Sequence, residues 1–282
     1  MKKFLIFILT FYLLIYFASQ FLKQDKPIDK IYNQIPEIQD ENIPVEENKN
    51  TILIDIIEKI NTKNSKIKNL YTENVSVSIE QKGCIPLKVN GIMAIEKEKN
   101  FRLIIWHKLM GKEIDIGSNK QLFWFWSKRM KNPGLYFAKH KNLNKTMLKT
   151  PLNPNWLMEC LNIQNIDYQN SEIKLKHNLI AVIQKRISTL NENVTVETLI
   201  DPKKEIILGH YLYDSKDILI ASAQITENQM VNGTILPKKI SISWPNEGIK
   251  MEWKLNDLIV NTNISNNYWC MPKNKTNIEM GI

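Results

Sequence analysis

The stretch that decides the fold runs from Phe101 to Trp126 and reads FRLIIWHKLMGKEIDIGSNKQLFWFW. Gly111 and Gly117-Ser118-Asn119 interrupt it, and β-branched and aromatic residues dominate between these breaks, which is typical of short buried strands. Its last part, from Leu122 to Trp126, is apolar at every position. Because successive side chains of a strand point to opposite faces, both faces of this strand need a cover. We therefore expect one face to line a core or cavity and the other to pack against a different part of the chain.

Strand patterns continue on both sides of this stretch. Upstream, Val75, Val77 and Ile79 alternate with polar residues, and a second alternating run covers Leu87 to Ile95. Downstream, Asp-Pro, Asn-Gly and Asn-Glu-Gly turns separate further strand patterns. The downstream strands are predicted at Leu135 to Ala138, Leu179 to Lys185, Val194 to Ile200, Ile206 to Asp214, Ile218 to Thr226, Lys239 to Trp244 and Gly248 to Ile264.

Two helices are predicted among these strands. The first is amphipathic and starts at Asn50-Thr51, with its apolar residues at helical spacing. The second is short and is opened by Pro151 and Pro154; its apolar side is Trp156, Leu157, Cys160 and Leu161. One helix, many short strands and a helical interruption predict a mainly β (α+β) fold, an antiparallel sheet rolled around helices.

The termini predict an exported protein. Residues 1–22 have a basic start and an apolar run, which indicates a signal peptide or, if it is not cleaved, an N-terminal membrane anchor. Residues 23–49 are predicted to be a disordered tether, because prolines and charges replace the apolar periodicity. Residues 50–272 are the predicted β domain, and 273–282 are predicted to be a flexible tail.

Composition and motifs favour a binding protein over an enzyme. The net charge is +9, but the lysines are scattered, so a solvated basic surface is favoured over a nucleic-acid interface. The four histidines lie far apart, and phosphate-binding, nucleophile-elbow and zinc motifs are absent from the sequence. Three cysteines (Cys84, Cys160 and Cys270) indicate neither a metal site nor a disulfide framework, and their redox pairing stays open. We predict no catalytic residue, no metal and no cofactor.

Glu113 and Asp115 are an alternating carboxylate pair, and paired carboxylates can perform acid–base chemistry. They alternate with Ile114 and Ile116 along a predicted strand. The favoured interpretation is that the two carboxylates lie on the outward face of this strand and the two isoleucines on its inward face.

The order of these segments resembles the LolA/LolB-like family of outer-membrane lipoprotein-sorting proteins. The Gly117-to-Trp126 segment is similar to the turn and strand that this family writes S-D-G-x-x-L-W-x-Y, with Asn119 at the glycine position. The resemblance covers roughly Thr51 to Pro272. Its other segments are Ile67 to Leu70, Gly91 to Ile95, Asn100 to Leu103, Leu236 to Ile240 and Leu255 to Asn261.

The resemblance implies an unclosed antiparallel β-barrel with an N-terminal helix and a short helical lid over an apolar cavity that holds acyl chains. In the carrier branch a basic residue tethers the lid, and Lys97 occupies the nearest position here. The receptor branch is a lipoprotein with a protruding apolar loop, and no lipid-attachment cysteine follows the apolar run of this chain. The choice between the two branches stays open.

The predicted function is a non-enzymatic carrier or acceptor of lipoprotein acyl chains or other lipids, in the periplasm or cell envelope. Its expected partners are the lipid chains, lipoprotein-transfer components of the inner or outer membrane, and the membrane that the N-terminal segment contacts. The alternative is a module of the same fold that senses envelope lipids and reports to a partner protein; an enzyme acting on a lipid ranks third. The predicted ligand-binding residues are Met93, Leu103, Ile105, Trp124, Trp126, Trp156, Leu157 and Leu161.

Overall fold

A computed structural model describes residues 46–81, 86–97, 100–107, 111–128, 134–145, 154–188, 191–273 and 276–280. The predicted export segment, 1–22, and most of the predicted tether lie outside these residues. Within the described ranges, no helix is both long and apolar enough to cross a membrane.

One open, mostly antiparallel sheet dominates the described part of the chain. Its strands pair in the order β15-β6-β5-β4-β3-β2-β1-β13-β12-β11-β10-β9-β8-β7, and β14 pairs with β1 beside β13. The strands are β1 (Asn69–Gln81), β2 (Leu87–Glu96), β3 (Asn100–His107), β4 (Gly111–Ser118), β5 (Leu122–Ser127), β6 (Leu135–Lys139), β7 (Glu172–Lys176), β8 (Leu179–Ile187), β9 (Asn193–Asp201), β10 (Ile206–Tyr213), β11 (Leu219–Val231), β12 (Thr234–Trp244), β13 (Ile249–Asn256), β14 (Ile259–Val260) and β15 (Asn277–Glu279). The mainly β, unclosed architecture predicted from the sequence is confirmed.

Two α-helices accompany the sheet: α1 (Glu46–Ser65) and α2 (Pro154–Glu159). Helix α1 begins four residues before its predicted start. It buries Leu53, Ile57 and Ile60 against β8, β9 and β10, as its apolar spacing predicts. Helix α2 and the turn after it are called the lid segment, residues 154–163; Trp156, Leu157, Cys160 and Leu161 of this segment are all buried.

Both helices cover the same face of the sheet, as the strand register shows. Val182 of β8 lies opposite Thr198, and Thr198 lies opposite His210 of β10. His210 in turn lies opposite Ala223 of β11. Val182 packs with α1, whereas Ala223 packs with the lid segment. The covered face is therefore continuous across this part of the sheet, with α1 packed on β8, β9 and β10 and the lid segment packed in the cluster that contains Ala223.

The 3-10 helix at Asn266–Trp269 and the residues after it cover part of the opposite face. Further along the chain, β15 runs parallel to β6 at one edge of the sheet. This strand lies in the stretch 273–282 for which the sequence predicts a flexible tail, and its pairing extends the sheet beyond residue 272.

Candidate functional site

The largest apolar cluster of the protein lies between the sheet and the lid segment, and we call it the interior cluster. It is built from alternate residues of the strands, because only every second side chain points to the helix-covered face. Met93 lies opposite Leu103, and Leu103 lies opposite Ile116. Among its other members are Leu70, Val77, Phe101, Ile105, Ile114, Phe123, Phe125, Ile240, Ile242, Trp244, Met251 and Trp253.

Six of the eight predicted ligand-binding residues meet in this cluster. They are Met93, Leu103, Ile105, Trp156, Leu157 and Leu161. The first three come from β2 and β3, and the last three come from the lid segment, so the structure brings the strands of the quoted stretch and the second helix together. Whether these residues contact a ligand stays a prediction.

The prediction that Trp124 and Trp126 face the cavity is wrong. Phe123 and Phe125 join the interior cluster, whereas both tryptophans belong to a separate cluster on the opposite face, with Leu135. The reason is the register with β4, in which Phe125 lies opposite the inward Ile116 and Trp124 lies opposite Gly117. A Cβ at Gly117 would come within 2.0 Å of the Trp124 ring, so the indole fits there only because Gly117 has no side chain.

Charged groups and the C-terminal segment cover this opposite face. Arg102 forms a bidentate ion pair with Asp115, with both N···O distances at 2.8 Å. The same guanidinium donates from Nη1 to the backbone oxygens of Tyr268 and Cys270, at 2.9 and 3.0 Å, and lies 5.5 Å from the centre of the Trp124 ring. Asp115 also pairs with Lys112.

The prediction that Ile114 and Ile116 lie on the inward face of β4 is confirmed, since both belong to the interior cluster. Both carboxylates are nevertheless buried, with Glu113 and Asp115 at 5% and 1% exposure. The structure thus assigns Asp115 to the attachment of the C-terminal segment. Within the described residues, no group of three or more His, Cys, Asp or Glu side chains is arranged to hold a metal ion.

Three polar contacts join the end of the lid segment to the sheet. Arg186 of β8 donates to the Glu159 carboxylate at 2.7 Å. Asn162 has a left-handed backbone (φ 56°) and lies 2.6 Å, through Oδ1, from Nε2 of His210. Its amide nitrogen donates to the Ile207 carbonyl at 3.4 Å, which supports this orientation of the side chain.

The neutral form of His210 satisfies every member of this buried group. Asn162 Oδ1 can only accept, so the proton lies on Nε2 of the imidazole. Nδ1 is then an acceptor for the Thr198 hydroxyl, 3.0 Å away. Burial, aided by the positive charge of Arg186, lowers the pKa of His210 from 6.5 to about 4. The sequence offered no signal for this group, because its members lie on three elements that are far apart in the chain.

Lys97 does not tether the lid segment in this structure, contrary to prediction. Its ammonium group donates to the backbone oxygen of Asn64, in the last turn of α1. The physical reason is its place at the end of β2, where α1 leads into β1: the Lys97 backbone N–H also donates to the Lys68 oxygen at 3.0 Å. Burial lowers the pKa of Lys97. Lys97 therefore fastens α1, whereas Arg186 and His210 fasten the lid segment.

A small groove of about 30 Å³, open to solvent, lies beside the lid segment. It separates the last turn of α1 from the β11–β12 hairpin. Lys63 and Glu205 form an ion pair of 2.6 Å across it. Its apolar lining includes Ile60, Ile207 and Ile235, and Asn162 lines it as well. The groove thus reaches the point where the lid segment is joined to β10.

Of the three cysteines, Cys160 and Cys270 are free thiols. Cys160 is fully buried in the interior cluster, and burial raises the pKa of its thiol well above the usual value. Cys270 is exposed. Cys84 lies outside the described residues.

The chain is similar in fold to several solved structures. A putative outer-membrane lipoprotein-sorting protein domain from Vibrio parahaemolyticus gives a TM-score of 0.53 at 8% identity, over 77% of this chain and 95% of that one. A DUF1329 family protein from Desulfovibrio piger gives 0.52 at 13% identity, over 76% and 94%. The LolA superfamily protein NE2245 from Nitrosomonas europaea gives 0.51 at 10% identity, over 76% and 97%.

By sequence, neither a family model nor a curated protein matches the chain. The three structural matches nevertheless cover most of both chains in each comparison. The protein therefore has a LolA-like fold.

Proposed function

We propose that this protein is an exported, membrane-tethered carrier or acceptor of lipid chains, which it binds between the sheet and the lid segment. The observation that carries this proposal is the lid segment itself. Its side chains Trp156, Leu157, Met158 and Leu161 are all buried against the interior cluster, yet the helix is only six residues long. So short a helix has little stability of its own, so its position depends on the apolar surface that it covers.

The free energy gained when the lid segment packs on the interior cluster is comparable to the free energy gained when a lipid chain binds there. Burying a Leu, Ile or Met side chain stabilises by about 1.5–3 kcal/mol, so the buried apolar side chains of the lid segment contribute on the order of 10 kcal/mol. An acyl chain of about 14 methylenes, at about 0.8 kcal/mol each, gains a similar amount when it takes the same surface. A lipid chain can therefore displace the lid segment without a large net cost, which is what reversible loading needs.

The polar contacts that join the lid segment to the sheet indicate where the lid segment would open. Glu159 and Arg186 are partly exposed, at 20% and 34%, so their ion pair is screened by water and contributes little. The groove beside Asn162 and Ile207 adjoins the same joint. We expect the chain of a lipid to enter here, and a lipoprotein to keep its protein part outside.

Location and partners belong to the same proposal. The predicted export segment places the domain in the periplasm or cell envelope, and retention of residues 1–22 would tether it to the inner membrane. The structural neighbour from Vibrio parahaemolyticus is a putative outer-membrane lipoprotein-sorting protein domain, and the likeness of fold supports this proposal. Expected partners are lipoprotein-transfer components of either membrane.

A cross-link across the joint tests the proposal. The variant carries Glu159→Cys and Arg186→Cys in a background of Cys84→Ser, Cys160→Ala and Cys270→Ser, and a short bismaleimide joins the two new thiols. Uptake of a fluorescent fatty acid is then followed by stopped flow. We expect uptake to stop in the cross-linked protein and to proceed in the same variant without reagent.

The matched control carries Glu159→Cys without Arg186→Cys in the same cysteine-free background, and it is treated with the same bismaleimide. Equal uptake in cross-linked and control protein would show that lipid does not enter beneath the lid segment. Mass spectrometry of protein purified in mild detergent identifies any lipid that accompanies it. If no lipid accompanies the protein and the untreated variant also takes up no fatty acid, the carrier function is wrong.

A further inference from the structure

Three indole N–H groups in the interior cluster have no hydrogen-bond acceptor. Trp244 and Trp253 are 0% exposed and Trp156 is 5% exposed. Among the described residues, none offers a hydrogen-bond partner to the Nε1 of any of the three. Buried donors almost always find an acceptor, because a buried donor without a hydrogen bond destabilises the protein. Three unpaired indole N–H groups in one cluster therefore require an explanation.

The three tryptophans line both sides of the proposed binding space. Trp253 of β13 lies opposite Ile240 on one neighbouring strand and Val77 on the other, and Trp244 lies opposite Ile249. All of these residues belong to the interior cluster. Trp156 comes from α2, which covers the cluster. The donors therefore come from the sheet and from its cover, the two surfaces that a bound chain would separate.

The polar side chains that join the lid segment to the sheet are already engaged with one another. His210 bonds both Thr198 and Asn162, and Asn162 also donates to a backbone oxygen. An acceptor that enters with the cargo would give these indoles a partner. An alkane or isoprenoid chain has no such atom, whereas an acyl chain carries a carbonyl oxygen at its ester or amide link.

We propose that the interior selects lipids with ester- or amide-linked acyl chains, because the indole N–H groups of Trp156, Trp244 and Trp253 donate to their carbonyl oxygens. This rests on the lipid-binding function proposed above and narrows it to a substrate class. The apolar surface supplies affinity for any chain of the right length, and the tryptophans supply the preference for acyl over alkyl lipids. Lipoproteins carry such acyl groups, as do glycerolipids.

Trp124 provides a matched control within the same chain. Its indole nitrogen is also buried without an acceptor, but it belongs to the cluster on the opposite face. Its ring packs on Gly117 and beneath Arg102. Replacing Trp124 by Phe removes a buried indole N–H of the same kind without touching the interior cluster.

The experiment compares two lipids that differ at one group. Isothermal titration calorimetry measures binding of 1-dodecanoylglycerol, an ester, and 1-O-dodecylglycerol, its ether analogue, below the concentrations at which they form micelles. We expect the ester to bind roughly tenfold more tightly, the value of about one hydrogen bond. Trp244→Phe or Trp253→Phe should reduce this ratio several-fold, and Trp124→Phe should leave it unchanged.

Each outcome separates this inference from the function on which it rests. Equal binding of ester and ether by the wild type would overturn the carbonyl preference and leave the carrier function standing. Binding of neither lipid would overturn both. If the tryptophan variants do not fold, the same question is tested by ¹⁵N-indole NMR of the wild-type protein. The ester, and not the ether, should move at least one interior indole N–H signal downfield, and unmoved signals would contradict the proposal.

Discussion

The two faces of β3, β4 and β5 are both largely buried, but they are covered in different ways. On one face Phe123 and Phe125 meet the lid segment through apolar contacts. On the other, Trp124 and Trp126 lie beside the C-terminal segment, which Arg102 attaches through two backbone oxygens and a buried carboxylate. The first cover can leave at moderate cost, because it leaves apolar surface that a lipid can fill. The second leaves at a greater cost, because the buried Arg102 guanidinium would lose both of its backbone acceptors.

Burial alone therefore does not distinguish a binding surface from a structural one. The distinction lies in what a departing cover leaves behind. Arg102 is 9% exposed and Asp115 is 1% exposed, so their pair is hardly screened by water. The ion pair that joins the lid segment is several times more exposed.

Arg102→Met should have the largest effect, on stability. It removes one partner of a buried ion pair and two donors to backbone oxygens, and we expect a loss of about 3–5 kcal/mol in the free energy of unfolding. Urea denaturation followed by far-UV circular dichroism measures this loss. In the double variant Arg102→Met with Asp115→Leu most of it should return, since no buried charge is then left unpaired and the more exposed Lys112 ammonium is solvated. A single variant as stable as the wild type would contradict the assigned role of Arg102.

His210 should make stability fall as the pH is lowered. Its pKa in the folded protein, about 4, lies below the ordinary 6.5, so the unfolded chain takes up the proton first. The stabilisation is complete above pH 6.5, decreases on acidification and is lost by about pH 4. The full change is about 3 kcal/mol. Arg186 and Glu159 are the charged groups at this joint.

The measurement compares urea unfolding of the wild type and His210→Gln at pH 7.5, 5.5 and 4.5. Glutamine keeps hydrogen-bonding capacity but does not titrate in this range. The difference in unfolding free energy between the two proteins should shrink as the pH falls. A difference that is constant over the three pH values would show that His210 is not buried in its neutral form.

Arg186→Met should have the smallest effect on stability, about 1 kcal/mol or less, because its ion pair is partly exposed. It should nevertheless speed fatty-acid uptake up to about fivefold, since it releases the end of the lid segment. Stopped-flow fluorescence measures the rate.

Lys97→Met is the matched control for this variant, because Lys97 fastens α1 and not the lid segment. It should leave the uptake rate unchanged. Faster uptake in Lys97→Met with no change in Arg186→Met would restore Lys97 as the tether of the lid segment. The same Arg186→Met variant should raise the pKa of His210 toward its ordinary value, which NMR titration can follow, because a neighbouring positive charge is removed.

Alternation along β5 predicted correctly that both of its faces are covered, and it paired Trp124 with Trp126 and Phe123 with Phe125. It could not decide which pair faces the lid segment, because alternation divides the residues between two faces without showing what packs on each face. That choice depends on Gly117, which leaves space for an indole, and on the segment around Trp269, about 150 residues away. A single sequence does not show such a distant contact.

The β11–β12 hairpin was predicted too short for a related reason. Strand β11 continues to Val231, although Glu227, Asn228 and Gln229 interrupt its apolar pattern. Pro237 lies within β12, where a proline would normally mark an end. The register shifts beside its partner Asn228, and Gln229 donates to the Pro237 oxygen at 3.1 Å, so the strand pair accommodates the proline. Side-chain hydrogen bonds of this kind are invisible to patterns of hydrophobicity.

The lid segment was predicted from its prolines and apolar side, but its polar joints were not. Helical spacing identified Trp156, Leu157, Cys160 and Leu161 as one buried set. Arg186 and His210 gave no signal, because each lies in a strand far from the helix in sequence. Lys97 was assigned to the lid segment by resemblance, and the structure assigns it to α1.

The parallel pairing of β15 with β6 has a consequence for how the protein avoids self-association. A strand at the end of an open sheet offers unpaired backbone groups to other molecules, and proteins protect such edges with short strands or charges. At one end the three residues of β15 occupy the hydrogen-bonding edge of β6, and Ile278 packs against Gly134. At the other end the edge strand β7 carries Lys174 and Lys176. Removing β15 would uncover the hydrogen-bonding edge of β6, so we expect β15 to limit edge-to-edge association of the protein.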